Sequence, residues 1–206
     1  MRPTFLRGWG LISGTYPYTA ESVRVCAPVR AYLIGSKSVV FDIDKARCLF
    51  SKGYFGKPVG IRKPKTTDIR RPIELSLLET MYLTEAGVLK VLREGTEVDV
   101  QGLKAFARKM IKDFDMLYNA YKELRDVGFI VRSALKYGAD FAVYKAMPGV
   151  EHAPYLVKVL DYDQLIDPGD LIGWGRLSHS VRKELLLAVT YPSGTRSYIT
   201  FKWLKP

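Results

Sequence analysis

Apolar residues recur along this chain with two different periods. From Val100 to Val127 the period is helical: Phe114, Leu117, Tyr118, Tyr121 and Leu124 fall on one face, and Gly128 supplies a stop. The same spacing puts Leu75, Leu78, Tyr82 and Ala86 on one side of a second helix over Glu74–Ala86. There Ser76 and Glu79 have the separation of a capping box, and Gly87 follows as a C-terminal stop. Short apolar runs between turn residues predict strands instead. Ala31–Ile34 and Ser38–Phe41 flank a Gly35-Ser36-Lys37 turn, Arg47–Phe50 reads as a third strand, and Val88–Leu92 is a further short apolar segment. Beyond Gly128 come Phe129–Val131, Phe141–Tyr144, Tyr155–Leu160, Leu185–Tyr191 and Ser197–Trp203. Leu171, Trp174, Leu177 and Val181 have helical spacing between them, weakened by Gly173 and Gly175, after a loop over Asp161–Asp170. This order predicts an α+β N-terminal domain, residues 1–98, in which 1–30 form an irregular extension. An α/β C-terminal domain follows, residues 99–206, with a mixed β-sheet flanked by helices.

Composition adds a partner class. The 206 residues carry a formal net charge of +11, which favours a polyanion, with nucleic acid ahead of a membrane surface. Basic residues dominate residues 57–72, where Lys57, Arg62, Lys63, Lys65, Arg70 and Arg71 face one acid, Asp68, and Pro58, Pro64 and Pro72 argue for a loop. Contact with a phosphate backbone and a plain solvated loop are both open readings of it. No apolar run is long enough to span a membrane, and the N-terminus lacks an apolar signal core. Cys26 and Cys48 have no CxxC spacing and no neighbouring His. Reduced core thiols of a cytoplasmic protein are expected, and a disulfide between them is left open.

Metal and nucleotide motifs are missing from the sequence: there is no HExxH, no Walker loop and no glycine-rich dinucleotide fingerprint. Asp140 and Lys145 lack the Glu-x-Lys element that a metal-dependent nuclease would need, so neither metal nor cofactor is expected. What remains is a phenol, an imidazole and an ammonium: Tyr144 at the tip of a strand, His152 opening the next, and Lys183 just ahead of Leu185–Val189. A sheet that gathers them at one edge has groups to accept a proton, donate one and neutralise charge, which suits metal-free cleavage of a phosphodiester. Taken singly, each has an ordinary structural explanation.

The words around these residues resemble the catalytic subunit of archaeal tRNA-splicing endonucleases. They are Gly128-Phe-Ile-Val-Arg132, Tyr137-Gly-Ala-Asp-Phe-Ala-Val-Tyr144, His152-Ala-Pro-Tyr-Leu-Val157 and Val181-Arg-Lys183 with the apolar run after it. Gly53–Lys57 and Leu75–Glu79 resemble the family more weakly, and residues 1–30 lie outside the similarity. The resemblance implies a C-terminal nuclease domain that cuts precursor tRNA at intron boundaries, within a bulge-helix-bulge. Tyr144 would be the base, His152 the acid and Lys183 the electrostatic stabiliser, giving 2′,3′-cyclic phosphate and 5′-hydroxyl ends without metal. A free tyrosine titrates near ~10, and a neighbouring Lys183 ammonium would favour its phenolate. The family clamps an unstacked bulge base between cationic side chains, which implies RNA-binding roles for Arg176 and Arg196.

The alternative is a non-catalytic RNA-binding or scaffold subunit of the same assembly, which the presence of all three residues disfavours. The resemblance also implies an oligomer: two catalytic plus two structural subunits, or else a homotetramer. One triad and one repeat of length exclude a fused form. Two subunit interfaces are expected. Asp161, Asp163, Asp167 and Asp170 would form an acidic loop docking into a basic groove of another subunit. The last strand alternates Tyr198, Thr200 and Lys202 with Ile199, Phe201 and Trp203, and would pair at a two-fold edge through Phe201 and Trp203.

Overall fold

The computed structural model describes residues 17–62, 64–146 and 153–201. His152 and Trp203, both expected to be functional, lie outside them. The chain divides into two compact units. One runs to Phe114 and includes Arg125–Gly128; the other holds Asp115–Leu124 and everything from Phe129 on.

The first unit is α+β. Its six-stranded sheet contains β1 (Val29–Ile34), β2 (Lys37–Val40), β3 (Lys57–Pro58), β4 (Ile73–Ser76), β5 (Leu89–Arg93) and β6 (Thr96–Val98), in the order β3-β4-β2-β1-β5-β6. The β1–β2 hairpin turns at Gly35, whose φ of 58° suits glycine. Two helices lie between the strands, α1 (Ile43–Gly53) and α2 (Leu77–Glu85), and α3 (Val100–Met110) follows them.

Several sequence expectations are corrected here. Arg47–Phe50 is not a strand but the middle of α1. Asp42 caps that helix by accepting from Lys45 N, and Ala46, Leu49, Phe50 and Gly53 are buried at helical spacing. A four-residue apolar window cannot separate the two periods, whereas eleven residues can. The helix expected over Glu74–Ala86 begins at Leu77, because Ile73–Ser76 pairs with β2 as a strand. The capping box itself is formed, with Glu79 accepting from Ser76 N while Ser76 Oγ accepts from Glu79 N. The helical pattern over Val100–Val127 is two helices, broken at Asp113 with φ 56°. Cys26 and Cys48 are joined in a disulfide rather than being reduced thiols. Within the extension expected to be irregular, Glu21–Cys26 forms a short 3-10 turn and β1 starts at Val29.

The second unit has a five-stranded mixed sheet. Its strands are β7 (Ile130–Ser133), β8 (Phe141–Tyr144), β9 (Tyr155–Asp161), β10 (Glu184–Thr190) and β11 (Arg196–Phe201), in the order β11-β10-β9-β8-β7. β9 and β10 are parallel and the other pairs antiparallel. Helix α4 (Phe114–Asp126) supplies Tyr121 to one face, where it meets Phe141. Helix α5 (Pro168–Ser180) covers the other. Its Leu171 and Trp174, with Val181 just beyond, pack on Ala142, Leu156, Leu185 and Leu187. Asp167 and Asp170 are therefore not loop residues, as expected, but the N-cap and first turn of α5.

Candidate active site

Strand register brings the chemistry to one end of the second sheet. Ala142, Leu156 and Leu185 form one row across β8, β9 and β10, and Val143, Tyr155 and Glu184 form the next. One step further out stand Tyr144, Pro154 and Lys183, and Glu184 N donates to Pro154 O to close that end. Tyr144 is two residues from Ala142 and Lys183 two from Leu185, so strand alternation puts both on the face that α5 covers. They stand two inter-strand spacings apart, roughly 10 Å between backbones.

The Lys183 side chain reaches across the gap. Its Nζ donates to Ala153 O at 2.7 Å, the carbonyl of the residue after His152. One N–H of the ammonium fixes its position and two are left for other acceptors. Lys183 sits just after Arg182, which takes a positive φ of 54° as the chain leaves α5, and Lys183 N donates to Ser178 O.

Tyr144 is half-buried against the apolar cluster under α5. Burial pushes its phenol above the ordinary tyrosine value. The neighbouring cations that work against that push are Arg132 and Lys136, not Lys183. Sequence reasoning missed both. The signal was available in the hairpin register, which pairs Ile130 with Tyr144 and Arg132 with Ala142, placing Arg132 diagonally beside the phenol.

The remaining expected residues are placed as follows. Arg176 is exposed on α5. Arg196 is turned inward: its side chain is 10% exposed and paired with Glu123 of α4. Its guanidinium also bears on the buried Tyr198. Asp161 and Asp163 lie in a wholly exposed segment that ends in α5, and Leu165 beside them is 96% exposed. β11 is an edge strand of the sheet. Tyr198 points inward, Ile199 outward, and Phe201 packs partly on its own unit's core. Among the described residues no group of three or more His, Cys, Asp or Glu could hold a metal ion, and no helix is long and apolar enough to cross a membrane.

Both parts of the chain match known families. Residues 114–200 match the model of the tRNA intron endonuclease catalytic C-terminal domain, and residues 29–104 match that of the tRNA intron endonuclease N-terminal domain. The chain is 51% identical over 180 residues to a tRNA-splicing endonuclease of Hyperthermus butylicus, covering 86% of this chain and 99% of that one. It is 49% identical, with the same coverage, to the tRNA-splicing endonucleases of Saccharolobus islandicus and Saccharolobus solfataricus.

Proposed function

The chain belongs to the tRNA intron endonuclease family, and we propose that it is a catalytic subunit which cuts precursor tRNA at intron–exon boundaries without a metal. It is an endoribonuclease. The cut falls in a bulge-helix-bulge and is made by Tyr144, His152 and Lys183 of the C-terminal domain. RNA carries its own nucleophile, the 2′-hydroxyl, so the enzyme has to move protons and neutralise charge. The Tyr144 phenolate takes the 2′-OH proton, and the 2′-oxygen attacks the adjacent phosphorus. Lys183 holds the charge that builds on the non-bridging oxygens. Protonated His152 gives its proton to the departing 5′-oxygen. The 2′-O–P bond forms as the P–5′-O bond breaks, leaving a 2′,3′-cyclic phosphate and a 5′-hydroxyl.

The observation that carries this reading is the shared row of Tyr144 and Lys183, with the Lys183 ammonium held on the carbonyl next to His152. Arg176, exposed on α5, is our choice for stacking on an unpaired bulge base. Arg196 is not carried into this role, because its guanidinium is engaged by Glu123. The working assembly is two catalytic plus two structural subunits, or failing that a homotetramer, and acts in the cytoplasm.

End-group analysis tests the chemistry. Precursor RNA is cut in excess EDTA. The upstream product should resist phosphatase until acid opens its cyclic phosphate, and the downstream product should accept phosphate from a polynucleotide kinase. Cleavage abolished by EDTA and restored by a divalent ion, or a 5′-phosphate end, would discard the mechanism.

A further inference from the structure

We propose that Arg132, seconded by Lys136, is a cationic flank that stabilises the negative charge Tyr144 must carry to act as a base; this rests on the catalytic reading above. A half-buried phenol is a poor base, and Lys183 is committed to Ala153 O and the opposite side of the site. The β7–β8 hairpin supplies the charge instead. Its register pairs Ile130 with Tyr144 and Arg132 with Ala142, so Arg132 is the diagonal neighbour of Tyr144 on the face that α5 covers. The connection between the two strands contributes the second cation. There Lys136 lies 4.6 Å from the ring centre of Tyr137, which itself packs on the same apolar cluster as Tyr144.

Among the described residues, these are the cations that bear on the phenol. From β7 the phenol meets Arg132, and from the hairpin connection Lys136 and Tyr137. From α5 it meets the apolar cluster that includes Leu171 and Trp174, while Arg176 and His179 on that helix are exposed. Lys158 on β9 is paired with Asp140. Burial is the largest influence on Tyr144 and raises it. Arg132 is the strongest influence in the other direction, Tyr137 opposes it, and Lys136 acts with it. Arg132 and Lys136 are positioning residues: they touch neither the 2′-hydroxyl nor the phosphate, and act through the phenol.

The test is the pH dependence of single-turnover RNA cleavage by the assembled enzyme carrying Arg132→Gln, Arg132→Lys or Lys136→Gln. Each variant is accompanied by an RNA affinity and a thermal midpoint. At the ~7 Å of a diagonal cross-strand pair, loss of one unit charge moves a titration by roughly 0.4–1.7 pH units, depending on solvent screening. Arg132→Gln should therefore move the alkaline limb of the profile to higher pH by about that amount and lower the plateau by the matching factor, roughly 2.5-fold to 50-fold. RNA affinity should barely change. Arg132→Lys should restore most of both effects. Lys136→Gln, made at an exposed side chain, should show a smaller movement in the same direction, and it answers the question if Arg132→Gln does not fold. An alkaline limb that stays in place in the neutral variants overturns the proposal, as does a rate loss accounted for wholly by weaker RNA binding. Tyr144→Phe separates the two readings. If it leaves the wild-type alkaline limb in place, the catalytic assignment itself fails; if it brings the decline down to the histidine titration while the neutral variants do not move the limb, only the cationic flank is wrong.

Discussion

Two residues whose proton affinities lie on the wrong sides of neutrality can still share one reaction. Tyr144 is held above the ordinary tyrosine value by burial, so at neutral pH most of it is phenol. A free histidine titrates near ~6.5. In the proposed mechanism the active form needs phenolate and imidazolium together, and the product of the two fractions is constant between the two titrations. The cleavage rate should thus rise tenfold per pH unit until the histidine titrates, run flat, and fall only once the raised Tyr144 phenol ionises. The variants give the signs separately. His152→Ala should lose the plateau and the alkaline fall, and climb with pH until Tyr144 ionises. Tyr144→Phe should be flat at low pH and decline as histidine loses its proton. Single-turnover rates from pH 5 to 11 check both, and a profile falling already at pH 8 would contradict the assignment of the base. The strand ends that carry Tyr144 and Lys183 were legible in the sequence because each borders a strong apolar run. The inward turn of Arg196 was not, because its partner Glu123 lies on α4, far away in sequence.

At the scale of elements, the first unit is tied together by contacts that leave little trace in local pattern. Arg125 is fully buried. Its Nη1 donates to Gly53 O at 2.9 Å and to Tyr18 O at 3.3 Å, and its guanidinium carbon lies 3.9 Å from the centre of the Phe55 ring. The arginine thereby satisfies a carbonyl left over at the end of α1. Arg125→Met should cost about 2–4 kcal/mol, since it strands buried carbonyls, and Arg125→Lys should recover little because an ammonium lacks the planar fork. Urea unfolding of the two variants measures this. The Cys26–Cys48 disulfide fixes the 3-10 turn to α1 across a separation of 22 residues. By loop entropy its loss should cost about 3 kcal/mol, read as a lower thermal midpoint in Cys48→Ser or in reductant. Composition argued for thiols because cytoplasmic disulfides are rare; intracellular proteins of hyperthermophilic archaea are the exception to that rule. The strands of the second unit were legible from apolar runs with turn residues between them. α1 was not, because its buried face, Ala46, Leu49, Phe50 and Gly53, mixes with charges that hide the period in a short window. Likewise Asp113 broke a helix that periodicity alone ran straight through.

For the whole molecule the proposed assembly calls for surfaces through which copies or partners join. Among the described residues β11 ends the sheet with one side unpaired, and Ile199 is exposed on it. An edge of this kind tends to recruit another strand. Phe201→Asp should reduce the oligomer mass seen by light scattering, and unchanged mass would remove β11 from the interface. Replacing Asp161, Asp163, Asp167 and Asp170 by Asn examines the second joint, but two of these four also serve the start of α5, so helix content has to be followed alongside. The central claim is that Tyr144, His152 and Lys183 perform the cut. Its most direct test is single-turnover cleavage of a bulge-helix-bulge RNA by the assembled enzyme in excess EDTA, with His152→Ala and Lys183→Ala beside wild type and RNA affinity measured in parallel. Each substitution should slow cleavage by roughly 10²–10⁴-fold while affinity stays nearly constant. Near-normal cleavage in both variants would contradict it.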